Sequence, residues 1–520
     1  MNQCRWGSLG LVWLSLGVRV RDSQSYMVTG DALRDLWANT SGTWGRHAIV
    51  SVLGVSFGAL VASAALHSGA HAETLRGALA AAYKFNPDIE AERANLRATD
   101  EGVPQAKSGY RPTVSASANI GAVNTRTNPG GTTGRRPSGY QLNLNQNIFD
   151  GFQTTNGVNQ AEANVRAGRA TLHTAEQTVL LDAVTAYMNV VRDQAIVRLR
   201  ENDVRVLTKN LKATQERFQA GEVTRTDVAQ SRARRARSIS DLDAARAQLK
   251  TSRANYERVI GNPPSRLRAG GVPERRLPKT LAEAKRRATN EAPTVVAALY
   301  SEQAARYNVE RIWGELLPSV SVQGSLQRNN QPSEGINSTE SAQVIGTLNV
   351  PLYTGGSIRS RVRQAKHLHV RRIQLVAQAR TRAREAAVAA WAALNASRAQ
   401  LRSDKSQVQA NRIALAGVRE EEKVGQRTLL DVLDAEQELL DSQVNLVTTQ
   451  RDLVVNAYRL ISETGRLTSK ELGLTSKVYD AEEHYFDVRR AWFGISITHS
   501  NGRKERVDTW QSHGKRRSYK

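Results

Sequence analysis

All 13 prolines of this 520-residue chain lie between Pro87 and Pro351, and none falls between Phe149 and Gly261 or after Pro351. Proline removes a helical hydrogen bond and clashes with the preceding turn, so two proline-free tracts of over 100 residues invite very long helices. Both tracts are rich in Ala, Arg, Gln, Glu and Leu, which favour helix. In the first, Leu180, Val184, Tyr187, Val191 and Ala195 recur at steps of three and four; in the second, Leu433, Gln437, Leu440, Val444 and Val447 do the same. That is a narrow coiled-coil seam with one polar interruption.

The tracts belong to an internal duplication. TLRGALAAAYKFNPDI at 74–89 matches TLAEAKRRATNEAPTV at 280–295, an offset of 206, and RPTVSASANI at 111–120 matches LPSVSVQGSL at 317–326 at the same offset. LNLNQNIFDG at 142–151 matches TLNVPLYTGG at 347–356 more roughly, and the helical part keeps an offset of 204, pairing Tyr187 with Trp391, Gly221 with Gly425 and Asp227 with Asp431. The change of offset falls in loops rich in Gly, Pro and Asn. The expected organisation is a first repeat at 73–265, with a helix, strands at about 112–124 and 139–150 and long helices at about 154–220 and 224–260. A linker at 266–279 leads to a second repeat at 280–468, with a helix, strands at about 318–328 and 341–353 and long helices at about 357–424 and 428–464. A polar tail at 469–520 lies outside the repeat, lacks clear periodicity and reads as a periplasmic extension.

The strands carry the most telling local pattern. Thr113, Ser115, Ser117 and Asn119 alternate with Val114, Ala116, Ala118 and Ile120, and Gln141, Asn143, Asn145 and Asn147 alternate with Leu142, Leu144 and Ile148. The second copy repeats this with Ser319, Ser321, Gln323 and Ser325 against Val320, Val322 and Leu326. Strands of this length with one small polar face and one apolar face fit a transmembrane β-barrel with a wet lumen, the alternative being a half-buried soluble sheet. Four strands cannot close around a channel, and an open edge is not tolerated in lipid, so membrane strands would force several chains to pool theirs. The hairpin loops Asn124–Gly139 and Asn329–Ser341 read as long, flexible and extracellular.

The N-terminal region carries one apolar run, Ile49–Leu66, preceded by Arg46 and followed by Ala70-His71-Ala72. A positive flank, an apolar core and a small-x-small exit make a secretory signal peptide, the alternative being a retained anchor. Residues 1–72 then comprise a signal with a mis-assigned N-terminal extension, translation starting nearer Met27 and the mature chain at Glu73. The only cysteine, Cys4, precedes that cleavage point, which excludes a disulfide framework and a cysteine metal cluster. The net charge of +24 falls only to +22 on cleavage, compatible with nucleic acid or anionic lipid as partner. A polytopic helical membrane protein is excluded, because a mean hydropathy of −0.48 leaves no series of apolar spans.

Each long helix ends at a glycine. A 67-residue helix at 154–220 would be about 100 Å long. Gly221 and Gly425 fit helix C-caps, and Thr224-x-x-Asp227 and Thr428-x-x-Asp431 read as capping boxes opening the next helices.

This arrangement resembles the TolC family of outer-membrane channel-tunnels over about residues 73–468, on the duplication, the NIFDG and PLYTGG strand ends, and VGQRTLLDVLDAEQ at 424–437. The resemblance implies a mainly α fold with membrane β. Three chains would form a homotrimer with a 12-stranded barrel in outer-membrane lipid and a 12-helix periplasmic tunnel. It also implies an exit duct for efflux or type I secretion, working with a periplasmic adaptor and an inner-membrane ABC or RND-type transporter, with no cofactor, no catalytic residue and no metal. In the family the periplasmic tip is the gate. Asp431 and Asp434 match the constricting aspartates, Arg427 matches the arginine that ties the second hairpin to the first, and Thr226 and Asp227 match its partners. The family's gate tyrosine, three residues before the glycine, is Glu422 here, so its hydrogen bond does not carry over. Asp227 and Asp431 also have a plain capping explanation. Asp434 lies beyond the first turn and its first-copy counterpart is Gln230, so capping does not account for it.

Rival readings are a structural periplasmic coiled coil and a basic nucleic-acid-binding coiled coil, the latter suggested by RARRAR at 232–237, which reads more simply as a solvated helix face. His367 and His369 point apart on a helix and read as surface residues rather than a ligand pair.

Overall fold

The computed structural model describes residues 73–476 and 478–499, with the backbone of Lys504–Glu505. The signal-peptide expectation at 1–72 lies outside the described residues. Each repeat begins with an 11-residue helix, α1 (Leu75–Phe85) and, later, α6 (Leu281–Glu291). Thr74 and Thr280 cap them by accepting from Gly77 N and Glu283 N, both at 3.2 Å. A proline at the first helical position then opens the following helix, α2 (Pro87–Asp100) and α7 (Pro293–Gly314), where its missing N–H costs nothing. The first repeat adds a short α3 (Gly102–Lys107) before its strands.

Four strands make one antiparallel sheet in the order β1-β4-β5-β6: β1 (Thr113–Ile120), β4 (Ser138–Phe149), β5 (Ser319–Ser333) and β6 (Ile336–Asn349). The repeats therefore join through β4 and β5, and β1 and β6 are left as edges. The register fixes the two faces, because directly opposed residues share a side. Val114, Leu144, Gly324 and Val344 form one row across the sheet, and Ala116, Leu142, Leu326 and Ala342 the next. Ser115, Asn143, Ser325 and Gln343 form a row on the opposite face. A bulge between Asn147 and Phe149 shifts the parity, so that Phe149 faces Val320. Leu142, Leu144, Val344 and Leu348 are exposed, so among the described residues nothing covers the apolar face at these positions.

The strands continue into segments that the sequence reads as flexible loops. Between β1 and β4, β2 (Val123–Thr127) pairs with β3 (Gly131–Arg135). β5 and β6 run on until Ser333 opposes Ile336 around Glu334-Gly335, where Gly335 takes φ 79°. Backbone ladders and the Arg328–Glu340 cross-strand pair at 2.9 Å carry the pairing here, and neither depends on apolar alternation. Gln331 Oε1 accepts from Arg136 N at 3.0 Å, tying the small hairpin to β5.

The sheet connects to α4 (Gln153–Gln219) and α8 (Ser357–Lys423), 67 residues each. The partner helices α5 (Arg225–Ile260) and α9 (Leu429–Glu463) cover only their far halves. α2, α3 and α7 pack along the near half of α4, and α6 and α7 along α8. Among the described residues no helix is long and apolar enough to cross a membrane. His369 is used structurally, its Nε2 lying 2.6 Å from Glu302 Oε1 between α8 and α7.

The largest core cluster lies where α1, α4, α5 and α9 meet, around Leu79, Leu180, Tyr187, Tyr256 and Ile461. Tyr187 donates its hydroxyl to the carbonyls of Glu73 (2.8 Å) and Arg268 (2.6 Å), and Tyr256 donates to Glu73 Oε1 at 2.6 Å. Burial pushes the Tyr187 phenol up to about 12, partly offset by its backbone hydrogen bond to Arg268, and burial raises Tyr256 as well. The folded state thus favours the neutral phenols. The Tyr187 contribution is complete below the unfolded value of about 10 and is lost as pH rises through about 12. Thermal unfolding followed by circular dichroism should show the midpoint falling across that window, less steeply in Tyr187→Phe than in the native chain; equal slopes would place the alkaline loss elsewhere.

At the strand-to-helix junction Gly151 (φ 67°) is followed by Phe152 (φ 65°), an uncommon pair of left-handed residues. A Cβ on Gly151 would lie 2.3 Å from the carbonyl oxygen of Gly314 and 2.9 Å from Leu317 Cβ. Gly425 also has positive φ (77°), yet a Cβ there meets open space. Gly151→Ala should destabilise by roughly 2–5 kcal/mol from strain plus overpacking, and Gly425→Ala by only about 1–2 kcal/mol. Comparable melting shifts for the two would refute the close-approach argument.

Candidate functional site

The two hairpin tips use one local design twice. At the end of α4, Gly221 (φ 78°) donates its N–H to Phe218 O at 3.1 Å and Glu222 N donates to Arg217 O at 2.9 Å; Gly425 and Gln426 repeat this at the end of α8 with Glu422 O and Glu421 O at 3.0 and 2.9 Å. Glycine is required because the turn needs a left-handed residue to satisfy the last carbonyls. Three residues later the capping boxes close. Asp227 Oδ2 accepts from Thr224 N at 2.9 Å and from its hydroxyl at 2.8 Å, while Asp227 N donates back at 3.3 Å. Asp431 and Thr428 repeat the same three distances. The capping explanation thus holds for both aspartates, and the Thr428 N–H followed by its hydroxyl holds the Asp431 carboxyl below the usual carboxylate range.

Beyond the caps the symmetry breaks. From Arg225 to Arg237 helix α5 carries five arginines and one aspartate, while the equivalent stretch of α9, Leu429–Asp441, carries five carboxylates and no basic residue. The opposed charges meet. Arg234 pairs with Asp434, so the arginine run is not a purely solvated face. Arg217 Nη1 donates to Glu422 Oε1 at 2.6 Å, joining the tip of α4 to that of α8. Glu422 therefore makes a link between the two hairpins. Deeper in, the buried Glu436 accepts from Arg419 at 2.7 Å and from Asn210 at 3.2 and 3.0 Å, bridging α9 to α8 and α4. Such a carboxylate needs these donors, since a buried unpaired charge is costly.

Arg427 donates to Glu421 at 3.0 Å within the chain, Thr226 is exposed at the other tip, and Asp227 is engaged in its cap. One chain therefore brings Asp434 and Glu422 into the hairpin contact and leaves the two glycine turns and Arg427 each on its own hairpin. The sequence reading missed Arg217, Arg234, Arg419, Asn210 and Glu436. A usable signal existed for two of them: at the 204-residue offset Arg217 corresponds to Glu421 and Arg234 to Glu438, opposite charges at equivalent positions.

The family model described as outer membrane efflux protein matches residues 78–262 and 285–466, one stretch in each repeat. Among curated proteins the chain is similar to the outer membrane efflux protein BepC of Brucella suis biovar 1 (strain 1330), at 40% identity over 389 residues, 73% of this chain and 84% of BepC. It is also similar to the outer membrane protein TolC of Escherichia coli (strain K12), at 25% identity over 70% of this chain and 76% of TolC. Among solved structures the fold is similar to the CmeC outer membrane channel of Campylobacter jejuni, with a TM-score of 0.69 at 16% identity, covering 80% of this chain and 89% of that one.

Proposed function

The chain belongs to the outer membrane efflux protein family, and on that premise we propose that three copies pool their sheets into one barrel and their long helices into one tunnel. The protein is an outer-membrane exit duct of an efflux or type I secretion system. One observation carries the trimer: the four-stranded sheet has an apolar face, a polar face and, among the described residues, two unpaired edges, β1 and β6. In lipid such edges must be paired, and three chains of four strands give twelve, an even number that closes when β6 of one copy meets β1 of the next. The apolar rows then face lipid and the polar rows line a wet lumen.

The hairpin tips, at the far end of the long helices, would extend into the periplasm and form the gate. Asp431 and Asp434 would form stacked rings around the axis, since positions three apart share a helix face. Arg427 would tie its tip to Thr226 and Asp227 of a neighbouring copy, while Arg217–Glu422 fastens the two tips of each copy. A periplasmic adaptor would grip the helical part, and an inner-membrane transporter of ABC or RND type would supply the energy. A signal peptide ending near Ala72 would route the chain out of the cytoplasm. The engagement of Arg234 with Asp434 favours this reading over nucleic-acid binding, because that arginine is directed at the chain's own acidic helix.

Insertion of the purified full chain into planar bilayers, together with its mass in detergent, tests this reading. A trimer with discrete conductance steps is expected. A monomer or dimer without conductance would leave the structural coiled-coil reading in its place.

A further inference from the structure

The segment after the second repeat does not hang free. Ser469 N donates to the buried Glu176 at 2.6 Å, Tyr479 N donates to Tyr83 OH at 3.2 Å, and Arg93 stacks between the Tyr83 and Tyr479 rings. His484 Nδ1 lies 3.0 Å from Asp100 Oδ2, and helix α10 (Glu483–Val488) puts Tyr485 against α4, where its hydroxyl and Arg489 both donate to Glu162. Arg111, two residues before β1, donates to Ala491 O at 2.8 Å and stacks on the Trp492 ring at 4.5 Å. The segment thus follows α2 and the near half of α4 up to the foot of the sheet, and presents Trp492 and Phe493 there, the latter 93% exposed.

That end of the sheet has a second property. Every strand foot carries an aromatic side chain more than half exposed: Tyr110 before β1, Phe152 after β4, Trp313 before β5 and Tyr353 after β6. Barrels place such girdles at the membrane interface, where an aromatic ring is apolar on one side and wet on the other. Trp492 and Phe493 adjoin this girdle through Arg111. Beside them Lys107, Arg111, Arg489 and Arg490 gather around Glu162, a basic surplus next to two exposed aromatic side chains. The Lys107 ammonium is held below its ordinary value by burial and then by the Arg489 charge, with Glu162 opposing, as expected where cations crowd.

We propose that this C-terminal segment is a lipid anchor, with Trp492 and Phe493 entering the periplasmic leaflet of the outer membrane and the surrounding cations binding its anionic phospholipid headgroups. The proposal rests on the barrel reading, which sets the strand feet at that leaflet. A free phosphate would satisfy the cations and leave Phe493 in water, whereas a lipid leaflet satisfies both. A basic side chain near an anionic leaflet favours contact about fivefold, so removing two should reverse a marginal docking. Arg490 and Lys107 are the side chains to neutralise, because Arg111 and Arg489 hold the segment to the body of the protein.

The test uses the full chain in phosphatidylcholine vesicles, with or without phosphatidylglycerol, containing lipid brominated near the headgroup end of its acyl chains. Trp492 quenching is read as the difference between native protein and Trp492→Phe, and Trp313 quenching likewise through Trp313→Phe. Both should be quenched, Trp492 more strongly with phosphatidylglycerol, and Arg490→Gln with Lys107→Gln should abolish that gain. Quenching of Trp313 without Trp492 would overturn the anchor and leave the barrel standing, including the case in which a neighbouring copy covers the patch and shields Trp492 from aqueous iodide as well. Quenching of neither would sink the barrel reading itself. Trp492 quenching indifferent to phosphatidylglycerol and to both substitutions would overturn the anionic specificity.

Discussion

A trivalent cation added on the periplasmic side should block conductance through the native protein, and Asp431→Asn combined with Asp434→Asn should remove the block. Three copies would bring six carboxylates into one constriction. Asp434 is half-exposed beside Arg234, and Asp431 makes no ion pair among the described residues. Carboxylates crowded in this way concentrate counter-ions by roughly 10-fold or more. Asparagine is the better replacement because Asp431 is also a cap: its Oδ2 accepts from the Thr428 N–H and hydroxyl, and an amide oxygen retains that role. Alanine would remove the acceptor from the capping box and confuse the outcome. Neutralising Asp434 also releases Arg234, its partner in the hairpin contact, which makes the throat more positive and deepens the loss. Asp227→Asn is the control, since it has the same capping geometry on the other hairpin. A double variant that conducts normally and is still blocked at the native concentration would reduce Asp431 to a cap and Asp434 to an ion-pair partner. Because the whole chain is strongly basic, cation block cannot follow from net charge and tests the residues themselves.

Reversing the link between the two tips should open the resting channel. Arg217→Glu sets a carboxylate against Glu422, whose side chain is 17% exposed, where a guanidinium now sits at 2.6 Å. An exposed ion pair is worth about 0.2–1 kcal/mol, and a like-charge pair costs a similar amount. Reversal therefore changes each copy by on the order of 1 kcal/mol, and three copies acting on one gate, as proposed, would shift the closed–open balance by about 3 kcal/mol, roughly 100-fold. Single-channel conductance and leakage of a large antibiotic into cells should both rise. Arg217→Glu with Glu422→Arg should restore the closed state, which separates a specific pair from general damage to the tip. Leakage that persists in the exchanged pair, or none in the single variant, would mean that the gate is held by other contacts, with Arg427 the first to examine.

The two halves of this prediction differ in how legible they were. Local features could be read directly: proline-free tracts become α4 and α8, Gly221 and Gly425 take left-handed turns, and the Thr-x-x-Asp boxes close at both tips. Strand alternation fixed which side chains share a face, and the register arranges them in rows. Each of these depends on residues within about one helical turn or one strand, and the duplication states each of them twice.

What the sequence left open was settled by contacts across some 200 to 400 residues. Glu422 read as a lost hydrogen bond and proves to be the partner of Arg217; RARRAR read as a solvated face and sends Arg234 to Asp434; the tail read as a periplasmic extension without clear periodicity, and its described part lies along α2 and α4 through Arg93, Asp100 and Glu162. The supposed loops between strands are paired as well. Periodicity tells which face of a helix is polar but not which charge on a neighbouring helix it meets, because that depends on the axial rotation and relative slide of two rods. Those are set by the packing of the whole core around Leu180, Tyr187 and Tyr256, and only the assembled tertiary structure contains them.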